Sequence, residues 1–172
     1  MNSSLLKIKR LAAVMLCAVV GLIPALAGEK AVGVAGGIST RNGVAPVAGV
    51  YFQLGVIPHL RIAPSLNYQF RKHGADAFAV NVDVHSPWAI VGSDSRLRVY
   101  PLAGFHIARW NYFRNGDGEE RGRIDRIGFN VGGGVEWMPS KDMRLKLYAE
   151  GKYRYAHRFD TGVVTVGIGY VF

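Results

Sequence analysis

The chain is predicted to be all-β: a signal peptide followed by an eight-stranded antiparallel up-and-down transmembrane β-barrel. Three observations carry this prediction. Beyond residue 27 the hydrophobic pattern repeats every two residues, in segments of about ten bounded by turn residues. Nothing in that part approaches the roughly 18 consecutive apolar residues of a spanning helix. One face of most segments is oily, while the other mixes charges with glycines.

Composition sets the frame. With 172 residues, 49% hydrophobic and 19% charged, the chain has the size of one domain and too much apolar content for a disordered tail. A single cysteine excludes a disulfide framework and a cysteine-rich zinc module. At the start, Lys7, Lys9 and Arg10 precede an uncharged apolar run from Leu11 to Ile23. Pro24 and Ala25-Leu26-Ala27 follow, with small residues at the −3 and −1 positions of a cleavage site. The apolar run is shorter than the ~20 residues a membrane anchor needs, which favours a cleaved signal. Cys17 follows Val14-Met15-Leu16, which lack the small residues of a lipoprotein site. The expected division is therefore 1–27 signal peptide and 28–172 barrel domain. Removing the signal leaves 18 basic and 12 acidic residues, a net charge of +6. An exported chain rarely meets nucleic acid, so the excess fits solvated loops and an anionic membrane surface.

The strands follow in order. Val32, Val34 and Ile38 mark the first, near 30–40, and Val50, Phe52 and Leu54 the second, near 45–54. In the third, Leu60, Ile62, Pro64, Leu66, Tyr68 and Phe70 oppose Arg61, Ala63, Ser65, Asn67 and Gln69. In the fourth, Phe78, Val80, Val82 and Val84 oppose Ala79, Asn81, Asp83 and His85. In the fifth, Val99 to Ile107 alternates with Arg98, Tyr100, Leu102, Gly104 and His106. The sixth sets Ile127, Phe129, Val131, Gly133, Val135 and Trp137 against Gly128, Asn130, Gly132, Gly134 and Glu136. The seventh sets Leu145, Leu147, Ala149, Gly151, Tyr153 and Tyr155 against Lys146, Tyr148, Glu150, Lys152 and Arg154. The last sets Val164, Val166, Ile168, Tyr170 and Phe172 against Thr165, Gly167 and Gly169.

Short turns are expected at Ile57-Pro58-His59, Gly92-Ser93-Asp94 and Pro139 to Asp142. Longer polar loops are expected at Arg41-Asn42-Gly43, Lys72 to Asp76, Arg114 to Asp125 and Arg158 to Gly162. Both chain ends then lie on the short-turn side.

A soluble β-sandwich also alternates, so the solvent must be argued separately. Glycines crowd the charged face, which suits a narrow lumen better than an open surface. Aromatics lie near both ends of the apolar faces: Trp88, Trp137, Tyr170 and Phe172 toward the short turns; Tyr68, Phe70, Phe78, Tyr153 and Tyr155 toward the loops. Such rings fit the two interfaces of a bilayer. Within lipid every backbone group must be paired, so the first and last strands must join. The lumen is then expected to hold a charge network of Arg61, Asp83, Arg98, Glu136, Lys146, Glu150, Lys152 and Arg154. In it, Glu136 and Glu150 are bracketed by basic side chains as a plug.

Three stretches resemble the small outer-membrane β-barrel domain family that includes OmpA- and OmpX-like proteins. They are Val99-Tyr100-Pro101-Leu102-Ala103-Gly104, Gly128 to Glu136, and Ala149 to Tyr155. The ending Gly167-Ile168-Gly169-Tyr170-Val171-Phe172 is similar to the terminal assembly signal of such barrels, with Tyr170 and Phe172 as its aromatics. The resemblance implies insertion in a bacterial outer membrane, contact with its lipids including lipopolysaccharide, and engagement of the barrel assembly machinery. It implies no reaction.

His85, His106 and His157 are candidate bases, with Ser39, Ser65 and Ser86 as candidate nucleophiles. Lipid A deacylase barrels carry a His-x-Ser-Asn stretch late in the chain, whereas this chain reads Tyr155-Ala156-His157-Arg158-Phe159. Asn115 to Glu120 lacks the spacing of a calcium loop, and Gly132-Gly133-Gly134 lacks the helix and Lys-Ser/Thr of a phosphate cradle. No cofactor and no metal are expected. The leading expectation is a structural or surface-interaction barrel, with its longest loop (Arg114 to Asp125) offered to an unspecified partner. A narrow channel for small solutes is the alternative, and a lipid A-modifying enzyme comes third.

Overall fold

A computed structural model describes residues 28–41, 43–90, 96–113, 120–140 and 144–172, apart from the side chains of 120 and 121. The segment 1–27 expected to be a signal peptide and the turn expected at Gly92-Ser93-Asp94 lie outside the described residues. The strands are β1 (Lys30–Ser39), β2 (Ala45–Ile57), β3 (Leu60–Lys72), β4 (Ala75–His85), β5 (Trp88–Ala89), β6 (Leu97–Phe113), β7 (Glu120–Trp137), β8 (Leu145–Tyr155) and β9 (Thr161–Val171). The eight long strands pair antiparallel with their neighbours; β4 pairs with β6, and β1 with β9. The ring is closed. The two-residue β5 continues the line of β4 along β6 after Ser86-Pro87, where a proline without an N–H interrupts the ladder. No described helix is long and apolar enough to cross a membrane, and here the strands are the crossing candidates.

Burial runs opposite to that of a water-soluble protein. Phe105 and Ile127 on the outer face are 68% and 70% exposed, while Lys146 and Glu136 on the inner face are 0% and 1% exposed. Trp88, Trp137, Tyr170 and Phe172 are exposed at the end where both termini lie; Tyr68, Phe70, Phe78, Tyr153 and Tyr155 are exposed nearer the other. Register adds Phe105 and Phe129 to the latter ring, since Phe105 pairs Phe129 and Phe129 pairs Tyr155.

The connections correct two expectations. Residues 120–125 belong to β7 and pair back to β6, so they are not part of the loop expected over Arg114 to Asp125; residues 114–119 lie outside the described residues. The polar loop expected over Lys72 to Asp76 is a two-residue turn. Lys72 pairs Ala75, while His73 and Gly74 take φ of 48° and 74°. Gly74 tolerates the left-handed region, and the turn's twist matches that of the flanking strands. On the chain-end side β5 pairs with β6 on either side of the expected Gly92-Ser93-Asp94 turn, while residues 91–95 themselves lie outside the described residues.

Register also explains the inward glycines. Tyr51 sits opposite Gly33, Tyr100 opposite Gly134, and Tyr148 opposite Gly167. A Cβ at Gly134 would lie 2.5 Å from the Tyr100 ring, and one at Gly167 would lie 2.3 Å from the Tyr148 ring. The rings lie across the barrel wall in the space the glycines leave, and Tyr51 meets Tyr148 edge-on at 4.8 Å.

Candidate functional site

The interior is stacked in layers from the chain-end mouth to the loop-end mouth. The first layer gathers four of the eight charged residues singled out in the sequence. Glu136 receives Arg61 at 2.7 Å, Arg98 at 3.4 Å and Lys146 at 3.6 Å. Gln53 accepts hydrogen bonds from both Arg61 and Lys146. Glu29, just before β1, joins from the mouth, 3.0 Å from Arg98 and 3.6 Å from Lys146. Burial alone would raise the Glu29 carboxyl. The charges of Lys146, Arg98 and Arg61, with the Arg98 hydrogen bond, outweigh it and hold the carboxyl below its ordinary value. Sequence reasoning missed Glu29, which precedes any strand pattern. Its adjacency to the predicted cleavage site was the available signal.

The second layer holds three more of those residues. Lys152 bridges Asp83 at 2.7 Å and Glu150 at 3.0 Å. Tyr100 donates to Glu150 at 3.2 Å and stacks on His85, with ring centroids 4.6 Å apart. His85 Nε2 lies 3.8 Å from Glu150, beyond hydrogen-bond reach. Asp83 also accepts from Asn130 at 2.6 Å, and Asn130 contacts His106 Nδ1 at 2.7 Å. Arg154, the eighth, is buried and feels the charges of Asp83 and Glu150 in the second layer without a direct ion pair among the described residues. With the Asn67 amide turned so that its oxygen faces inward, that oxygen accepts from Arg154 at 2.6 Å. A cavity of about 20 Å³ between Tyr51, His85 and Tyr148 has room for a single water.

The candidate nucleophiles have other partners. Ser39 shares a hydrogen bond with Thr161 at 2.9 Å, Ser65 accepts from Asn81 at 3.2 Å, and Ser86 accepts from Trp88 Nε1 at 3.0 Å. His157 is exposed in the β8–β9 turn. Among the described residues no group of three metal-ligating side chains converges.

The mouths differ. At the chain end a cavity of about 610 Å³ opens between Ile57, Leu60, Pro87, Arg61, Arg98 and Glu29. At the loop end, inward Ala75, Ala77, Ala79, Ala108 and Ala156 make room for Trp110 and Phe159, whose rings lie 5.8 Å apart. This apolar cap was not foreseen, because Trp110 and Phe159 fall outside the predicted strands.

No protein-family model matches the chain, and no curated protein matches it in sequence. Solved structures do match. The N-terminal β-barrel domain of Pseudomonas aeruginosa OprF aligns with TM-score 0.66 at 17% identity, over 84% of this chain and 97% of that one. Neisserial surface protein A (NspA) aligns with TM-score 0.65 at 14% identity, over 84% and 96%. The attachment invasion locus protein Ail of Yersinia pestis aligns with TM-score 0.59 at 15% identity, over 84% and 99%. The chain has the fold of these small barrels. Likeness at such identity is a likeness of backbone: strand number, direction and closure are shared, and the side chains described above belong to this chain.

Proposed function

We propose that this chain is an integral protein of a bacterial outer membrane, with a structural or surface-interaction role and a plugged lumen. The outer apolar band is the observation that carries it. On β6 the outward residues stay apolar from Leu97 to Ile107, and on β7 from Ile127 to Trp137. Ten rises of about 3.3 Å, tilted by about 40°, span roughly 25 Å, the height of a lipid-facing band. The next outward pair is Arg109 with Asp125, a two-pronged ion pair at 2.7 and 3.0 Å. The band ends where charge begins.

Lipid contact on this band includes lipopolysaccharide, and Tyr170 with Phe172 serve as the signal to the assembly machinery. A role at the surface gains support from Ail, which is named for attachment and one of whose structures holds the heparin analogue sucrose octasulfate. The ion layers and the apolar cap argue for a barrel that does not conduct, and the partners of the three serines argue against catalysis. The channel reading draws on the wide chain-end mouth. Fractionation with an unboiled gel tests the membrane reading: the protein should follow the outer membrane and migrate differently before and after boiling. Recovery as a dispersed monomer without detergent would refute it. Steady openings in a planar bilayer would replace the plugged lumen with the channel.

A further inference from the structure

The cap at the loop end carries charge in an arrangement that the plugged barrel does not need. Arg41, from the β1–β2 turn, places its guanidinium 4.1 Å from the Phe159 centroid and 5.0 Å from that of Trp110. Arg126, from β7, places its own 4.8 Å from the same Phe159 centroid. Two like charges therefore share one ring. Stacking on aromatic faces favours each cation separately, but their mutual repulsion is left standing. Neither has an acidic side chain as partner among the described residues. Arg41 donates to the Arg158 carbonyl at 2.9 Å and Arg126 to the Asp125 carbonyl at 3.2 Å. The Nε–H of both is shielded from solvent and unpartnered. The nearby acids are engaged: Asp125 with Arg109, and Asp160 with the Ala156 amide at 3.2 Å.

We infer that Arg41 and Arg126 form a binding site for a phosphate group over the apolar mouth of the barrel. Guanidinium forks present paired donors matched to tetrahedral oxyanions, and one dianion would both occupy the free donors and cancel the repulsion. The dry floor of Trp110 and Phe159 strengthens the attraction by keeping water from beneath the ligand. The phosphate is either free in solution or the headgroup of a lipid. The site stands independently of the membrane reading, because it is measured on the folded barrel in detergent.

Trp110 supplies the signal. With Trp88→Phe and Trp137→Phe, it is the sole tryptophan of the chain's three. The full chain in dodecyl maltoside is titrated with sodium phosphate at constant ionic strength, and Trp110 emission is followed. A saturable change is expected, with half-saturation on the order of 1 mM. Arg41→Gln or Arg126→Gln should each weaken it about tenfold, and the pair should abolish it. Arg126→Lys, which keeps the charge without the fork, should fall between. Should Arg41→Gln fail to give the folded band on an unboiled gel, the two Arg126 variants carry the test. A second arm uses bicelles of phosphatidylcholine with or without phosphatidic acid and no free phosphate. A response there assigns the headgroup as a source; a response to free phosphate alone assigns the soluble one. A flat titration in both arms, or a response that survives the double glutamine variant, overturns the site.

Discussion

Glu136→Gln isolates what the first charged layer contributes. The substitution keeps the shape and the acceptor oxygen but deletes one negative charge that faces Arg61, Arg98 and Lys146 at 2.7, 3.4 and 3.6 Å. Afterwards Arg61 and Lys146, with side chains 5% and 0% exposed, retain Gln53 as a neutral acceptor and, as acidic partner, only Glu29 at 3.9 and 3.6 Å. Orphaning buried charge in this way costs about 3–5 kcal/mol, a large share of the ~5–15 kcal/mol that holds a domain folded. A matched control is Asp125→Asn on the outside. Its ion pair with Arg109 is about 30% exposed on both sides, and such pairs contribute about 0–1 kcal/mol. Urea unfolding of both variants in lipid vesicles, followed by tryptophan emission, gives the two costs side by side. Adding Arg61→Gln to Glu136→Gln should cost less than the sum of the single changes. If Glu136→Gln loses no more stability than Asp125→Asn, the interior charges are not coupled as their distances imply.

Other outcomes follow from the same geometry. Val131→Arg, in the middle of the outer band, should cost about 2–4 kcal/mol in vesicles, and a cost near zero would argue that the band does not face hydrocarbon. Gly167→Val drives a side chain to within 2.3 Å of the Tyr148 ring and 2.7 Å of the Val34 carbonyl, and should abolish the folded band on an unboiled gel; Gly151→Val, with nothing within 4 Å, should keep it. Glu29 has a lowered carboxyl, so its stabilisation is complete above about 4.5, its unfolded value, and is lost as pH falls through the folded one. Unfolding measured from pH 6 to 3 should show that loss, and Glu29→Gln should flatten it. Truncating the cap with Trp110→Ala and Phe159→Ala should produce openings in a planar bilayer, while the unaltered barrel stays silent.

What could be read from the chain depended on whether the two faces of a strand meet different surroundings. Between Leu97 and Ile107 the contrast between oily and inward residues is complete, and the strand is plain in the sequence. Past Arg109 the outward residues Asn111, Arg123 and Asp125 turn polar while Trp110, Tyr112 and Ile124 pack inward, the oily-outside contrast reverses, and Glu120 to Asp125 reads as loop although it is paired strand. The turn at His73-Gly74 was hidden by its charged neighbours; its length is set by two left-handed residues. The inward charges were legible by parity alone. Their grouping was not, because Arg61, Arg98, Glu136 and Lys146 come from four strands and meet only once register is known. The glycines were read as crowding, but the tyrosines they accommodate stand on neighbouring strands.

The two mouths are unlike because their contents tolerate water differently. Charges are least costly to enclose where some remain wet, and Glu29 and Arg98 keep 31% and 29% of their side chains exposed at the wide chain-end mouth. Farther in, the charges are fully enclosed, and Lys152 is held between Asp83 and Glu150 at 2.7 and 3.0 Å. Among the described residues the loop end shows no such wet vestibule: inward alanines leave space, and two large rings fill it. Water can thus hydrate the first ion layer from the wide mouth. On the plugged reading the cap closes the lumen behind the ion layers, so acid or salt should loosen the chain-end layer before it opens the barrel.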